Sequence, residues 1–137
     1  MAAQKIIHDL LSLSQKSVPA IKADKIIAQD LQDTLLAHQG DAAGLAANMI
    51  GQNKCIIAFF IGVLPMVMIN PKIISKKDPY MATEGCLSIP GQKTIQRFEE
   101  ITVSYQNMNF EENTQTFTGF VAETIQHEVD HCNGILV

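Results

Sequence analysis

The segment QHEVDH, residues 126–131, sets two histidines four residues apart. On a helix such residues share one face, so His127 and His131 can bind one metal ion. Glu128 stands beside them, where its carboxylate can take a proton from an attacking water. The blander reading is a surface helix with two ordinary histidines, because H-E-x-x-H also arises by chance. A catalytic metal site normally takes three protein ligands and keeps one position open. Only CNGILV follows His131, and it contains no His, Asp or Glu. Cys132 lies five residues beyond His127, about 140° around a helix at roughly 100° per residue, and so points away. The third ligand must come from upstream.

Upstream there are few candidates. Glu123 is on the ligand stripe, one turn before His127, but three ligands in a row along one helix cannot surround an ion tetrahedrally. It reads either as a residue supporting the ligands from behind or as one of the adjoining pocket. Cys55 sits within an apolar run, where a thiol behaves as a small hydrophobe. His8 and His38 have no motif around them and read as surface histidines. Cys86 differs: it lies in EGCLSIPG, beside Gly85 and ahead of Pro90 and Gly91, where a strand can turn and a thiol can project. A thiolate is also a good ligand for zinc or iron. The residues alone therefore support Cys86, His127 and His131 as ligands, with Glu128 as general base.

These groups need elements to hold them. Ala23, Ile27, Leu31 and Leu35 recur every four residues with Ile26 beside them, predicting a helix over residues 20–39 that stops at Gly40. The small-residue stretch DAAGLAANMIG follows, able to bend closely around a ligand. KCIIAFFI and MVMIN read as buried strands, interrupted by Gly62 and Pro65. ITVSY alternates, with Ile101, Val103 and Tyr105 on one face, and QTFTGF is its expected hairpin partner across an EENT turn. A last helix is expected from about Gly119 to Cys132, ended by Asn133 and Gly134. Helix, short strands, then helix is an α+β order without βαβ alternation.

The totals bound the rest. The chain has 137 residues, which fits a single domain over 1–137 with a core of its own. A formal charge of −4 without a basic run gives no electrostatic reason to expect nucleic acid or an anionic membrane. The three cysteines make an odd, sparse set, as for reduced thiols in a cytoplasmic protein. The N-terminus lacks the basic and apolar regions of a signal peptide. The longest apolar run, residues 55–69, falls short of the ~20 residues needed to cross a bilayer.

Three segments together resemble the peptide deformylase family, whose members show G-x-G-x-A-A-x-Q, then E-G-C-x-S, then Q-H-E-x-D-H. Here they read AAGLAANM at 42–49, EGCLS at 84–88 and QHEVDH at 126–131. The resemblance implies an α+β fold of short antiparallel sheets around a central C-terminal ligand helix, with an N-terminal helix. It implies one divalent metal, natively iron(II) and often isolated as zinc or nickel, on Cys86, His127 and His131. The backbone N–H of Leu87 would help bind the oxyanion. An N-formylated nascent peptide, met at the ribosome, would lie as an added strand along Ala43 and Gly44 on one side and Gly85 on the other. Glu128 would carry the proton during hydrolysis of the formyl amide.

Two positions depart from the pattern. Ala42 replaces the first glycine. Met49 replaces the glutamine whose amide donates to the developing oxyanion, and loss of such a donor typically costs on the order of 10²–10³ in rate. Asn48, Gln52 and Asn53 are the nearby amides that could substitute. The departures leave two other readings: a hydrolase of a different small acyl amide, and a metal-retaining relative of low activity with a binding or regulatory role. An intact Glu128 argues against the last.

Overall fold

The structure, a computed structural model, describes residues 3–137. A short helix α1 (Leu10–Leu13) is capped by Asp9, whose carboxylate accepts from the Leu11 N–H. The main N-terminal helix, α2, spans Lys25–Ala37 and is preceded by a 3₁₀ turn at Lys22–Asp24. Its buried positions are Ala28, Leu31, Thr34 and Leu35, while Ala23 and Ile26 are exposed. The expected apolar stripe is thus displaced at its start. Asp24 explains the shift: its carboxylate accepts from the Ile21 N–H and pairs with Lys54 at 3.2 Å, so the first turn is pinned through Asp24 and Ala23 is left outside.

Five strands form one antiparallel sheet in the order β1 (Gly44–Ala46), β2 (Ile56–Ile61), β3 (Leu64–Gly85), β4 (Gln92–Gln106) and β5 (Glu112–Thr118). The apolar run does fold as two strands. Gly62, at φ 64°, makes the two-residue turn between them, since Ile61 pairs with Leu64. Pro65, expected to break the run, lies inside β3 opposite Phe60. That strand continues far beyond MVMIN, through polar residues the alternation pattern does not mark. Register shifts between Ile69 and Lys72, and between Ile73 and Ser75, absorb the irregular segment containing Asn70 and Pro71.

ITVSY lies within β4, with Ile101, Val103 and Tyr105 buried together as their alternation predicts. The β4–β5 turn occupies residues 107–111, so the expected EENT turn is corrected: Glu112 already pairs with Gln106. Asn107 organises that turn by accepting the N–H groups of Asn109 and Glu111 on one side-chain oxygen.

The last helix, α3, spans Gly119–Cys132, as the sequence predicts. Eight of its residues are buried, including Ile125, His127, Glu128 and His131. A helix so covered on several sides is central, and it packs against β1, β2 and β4. Gln126 docks it edge-on: its amide accepts from the Phe98 N–H at 2.9 Å and donates to the Phe98 carbonyl at 2.8 Å. At the other end, Asn48 donates to the carbonyl of His131 at 2.9 Å. Both anchors fix the rotation of α3, which decides where its histidines point.

Candidate active site

Helix spacing and the β3–β4 hairpin bring the three expected ligands together. Gly85 ends β3 and pairs with Gln92, which begins β4, so residues 86–91 form the hairpin loop and Cys86 stands at its first position. From there the Cys86 Sγ reaches 3.4 Å from His131 Nε2, and His131 Nε2 lies 3.3 Å from His127 Nε2. One ligand atom from each residue falls within 4.8 Å of the other two. With metal–ligand bonds of ~2.0–2.3 Å, the edges of a tetrahedron are about 3.3–3.7 Å. A sulfur and two imidazole nitrogens converging at those edges fit a soft or borderline divalent cation.

The expected ligands are held from behind. His127 Nδ1 donates to Glu84 Oε1 at 2.7 Å, which turns Nε2 toward Cys86 and His131. Glu84 in turn accepts two bonds from Arg97, Nε to Oε2 at 2.9 Å and Nη2 to Oε1 at 2.7 Å. Arg97 Nη1 then donates to Asp130 Oδ2 at 2.6 Å. Arg97 and Glu84 are only 3% and 8% exposed, so each needs the other. Burial opposes the charged form of Glu84, but the bonds from His127 and Arg97 outweigh it and hold its carboxyl at about 2.

The same fields separate the two histidines. Burial alone would lower His127, yet the Cys86 sulfur and the Glu84 carboxylate raise it to about 10. Burial and the neighbouring positive His127 push His131 down to about 3. Glu128 is 3% exposed, and burial, helped by the charges of Glu84 and Asp130, raises its carboxyl to about 7. Its Oε1 is buried without a hydrogen-bond partner among the described residues, a loss on the order of 1–3 kcal/mol unless something at the site meets it.

A cavity of about 440 Å³ opens over these groups. Ala43 and Gly44 line one wall, Gly85, Cys86 and Leu87 the other, and Phe120, Glu123, Thr124, His127 and Glu128 form the floor. Of the expected ligands, base and peptide contacts, all line this cavity except His131, whose Nε2 joins the cluster from behind; Met49, at the oxyanion position, does not line it. Gly44 must be glycine for a steric reason: a Cβ there would stand 2.8 Å from Thr124 Cγ2 and 3.1 Å from both Glu128 Cγ and the Ala58 carbonyl oxygen. Glu123 faces the cavity with Oε1 accepting from the Tyr80 hydroxyl at 3.3 Å.

Met49 is 1% exposed, and its sulfur faces the Ala46 N–H at 3.4 Å. It offers no donor. Asn48 does not replace one, because its side-chain nitrogen is directed at the carbonyls of Leu13 and His131. Gln52 and Asn53 are exposed and do not line the cavity.

Glu84, Arg97, Gln126 and Asp130 are the site residues that motif reading passes over. Three of them lie inside the quoted motifs without a chemical role of their own there. Arg97 had a compositional signal: it is the sole arginine in the sequence.

Comparison with known proteins gives a consistent result. Residues 4–137 match the family model for polypeptide deformylase. The peptide deformylase of Clostridium beijerinckii is 47% identical over 132 residues, covering 96% of this chain and 97% of that protein. Peptide deformylase 2 of Clostridium acetobutylicum is 37% identical, over 90% of this chain and 85% of its own length. Among solved structures, the peptide deformylase of Thermotoga maritima superposes with a TM-score of 0.88 at 30% identity, covering 98% of this chain and 94% of that one. A Met-Ala-Ser-bound class I type b peptide deformylase of Acinetobacter baumannii gives 0.82 at 29% identity, over 98% and 96% of the two chains.

Proposed function

The chain belongs to the polypeptide deformylase family, and we propose from that premise that Cys86, His127 and His131 hold its metal and that Glu128 is its general base. The enzyme is a metal-dependent hydrolase that removes N-formyl groups from nascent peptides. The observation that carries the residue assignment is the convergence of one sulfur and two nitrogens beside a buried carboxylate with an unpartnered oxygen.

When bound, the divalent ion supplies Lewis-acid chemistry, acidifying water and polarising a carbonyl. Glu128 takes the proton of the attacking water and returns it to the leaving amine. Burial raises the Glu128 carboxyl above the ordinary carboxylate range, which suits a group that must both accept and return a proton. Leu87 donates its backbone N–H to the formyl oxygen as charge develops there. Glu84 keeps the imidazole of His127 in register, and Arg97 keeps Glu84 ionised.

The peptide lies extended along Ala43 and Gly44, with Gly85 opposite. β1 is an edge strand of the sheet, so its free side can pair with an added strand. The side chain of the formylated residue then drops toward Phe120, Glu123 and Thr124 on the cavity floor. Because Met49 carries no donor, the oxyanion lacks one of the family's amide contacts and turnover is modest.

The reading extends to iron(II) as the native ion, with zinc or nickel as isolated forms, and to one catalytic domain over residues 1–137. It places the work in the cytoplasm, on peptides emerging from the ribosome. No helix among the described residues is long and apolar enough to cross a membrane.

The test is hydrolysis of a formyl-Met peptide by anaerobically iron- or nickel-loaded protein, beside the acetylated peptide. The formyl substrate alone should be cleaved. Glu128→Gln should bind the metal normally and lose turnover. Equal cleavage of the acetyl peptide, or wild-type turnover by Glu128→Gln, would overturn the assignment.

A further inference from the structure

His8 is exposed, as expected of a histidine without a motif, yet its ring is tied to the site. Its Nδ1 lies 3.0 Å from the carbonyl oxygen of Ser88, 80 residues away in the chain. A carbonyl only accepts, so Nδ1 carries the proton and donates. The backbone that presents this ring is fixed on both sides. Before it, the Ile7 N–H donates to the Met49 carbonyl at 2.7 Å, and Ile6 packs on the core. After it, Asp9 caps α1 through the Leu11 N–H and the Ser12 hydroxyl. His8 thus reaches from an anchored strap to the loop between β3 and β4.

That loop, residues 86–91, carries Cys86 and Leu87, and little else holds it. Among the described residues, no hydrogen bond between backbone groups ties it to another element. The Ser88 side chain is 0% exposed, but its hydroxyl has no partner among the described residues. Ile89 is buried and the Cys86 sulfur meets His131, which leaves the orientation of the intervening peptides to the bond from His8.

We propose that His8 is a positioning residue for the hydrolysis: by fixing the Ser88 carbonyl it holds the Leu87 N–H, one residue earlier, on the formyl oxygen. The inference rests on the reading of Leu87 as an oxyanion donor. Such a donor helps the reaction only when it is already in place as charge develops. Its placement weighs more in this chain than usual, because Met49 supplies no second donor. His8 does not line the cavity, so it acts through the loop and not on the substrate. Through Ile7 the same strap holds the carbonyl of Met49, so two consecutive residues fasten both segments that the family pattern brings to the oxyanion.

The experiment compares wild type with His8→Ala, His8→Asn and His8→Gln. The amide nitrogen of asparagine stands where Nδ1 stands, whereas that of glutamine matches Nε2. Loop order is read by 15N relaxation of the zinc-loaded proteins, and turnover by nickel-loaded protein on a formyl-Met peptide. The Leu87 and Ser88 order parameters should be rigid in wild type, near ~0.85, and fall below ~0.6 in His8→Ala. In that variant kcat should fall about three- to tenfold, the reach of one neutral hydrogen bond, with KM unchanged. Metal stoichiometry and the urea midpoint should stay close to wild type, since the ring is exposed. His8→Asn should recover both loop order and kcat, and His8→Gln neither. Unchanged order at Leu87 in His8→Ala, or no recovery in His8→Asn, would overturn the tether. A loosened loop with wild-type kcat would overturn the positioning role differently, by removing the Leu87 N–H from the oxyanion.

Discussion

Replacing Glu84 by Gln keeps the shape of the side chain and removes the charge lying between His127 and Arg97. The loss can be sized from the site. Glu84 accepts one bond from His127 and two from Arg97, at 2.7, 2.9 and 2.7 Å, and it is buried. Burial raises its pKa, but the bonds from His127 and Arg97, a further one from Glu123 and the charge of Arg97 bring it down from the ordinary 4.5 to about 2. At ~1.4 kcal/mol per unit, the ionised form gains about 3 kcal/mol on folding. The folded value lies below the unfolded one. The contribution is therefore fully present above pH 4.5 and is lost as the pH falls from there through about 2.

Glutamine does not titrate and lacks this contribution at every pH. Urea unfolding of wild type and Glu84→Gln, both kept metal-free with chelator, should therefore differ by at least 3 kcal/mol near neutrality. Part of any excess comes from Arg97, which keeps only Asp130 as an anionic partner. The diagnostic is the closing of the gap between the two proteins from pH 5 downward, the range in which Glu84 takes up a proton in the wild type and the substituted glutamine cannot. A gap independent of pH would refute the account, since the charge of Glu84 would then not be what the network stabilises. The same variant should bind metal ~10–100-fold more weakly, as expected when a ligand histidine loses its supporting carboxylate.

Met49→Gln should raise kcat/KM on a formyl-Met peptide at least tenfold, about 1.4 kcal/mol, mostly in kcat, because the added amide acts on charge present only in the transition state. No gain, with metal bound, would mean the oxyanion is already served. Gly44→Ala should destabilise the protein by ~1–3 kcal/mol and lower kcat, since the new Cβ meets Thr124, Ala58 and Glu128 together; unfolding curves and kinetics matching wild type would contradict the packing. Glu123→Ile should improve formyl-Met turnover relative to substrates with a polar first residue, and an unchanged ratio would remove Glu123 from the side-chain pocket.

What was legible in the sequence follows the range of the interactions. His127, Glu128 and His131 are read together because helix geometry alone puts them on neighbouring positions of α3. Cys86 is reached by eliminating other ligands and by the turn chemistry around it, both local arguments. The polar half of β3 is not legible, because between Asn70 and Glu84 most side chains are exposed and only pairing with β4 makes them a strand. The start of the α2 stripe misleads because Asp24 pairs with Lys54, thirty residues away, and that pairing fixes the entry to the helix.

The support behind His127 is the instructive omission. Glu84 and Asp130 come from motifs that were quoted, but their shared partner lies on β4, 13 and 33 residues from them. No periodicity links such positions. Composition nevertheless held a physical clue: nine of the ten basic residues are lysine, and Arg97 is the exception. Lysine serves a solvated surface, whereas the guanidinium can donate side by side to one carboxylate and still reach a second. A single arginine in a chain that otherwise uses lysine therefore marks a place where planar, multi-bond recognition is required. In an enzyme with a buried histidine to orient, a carboxylate beside that histidine is where such recognition is needed.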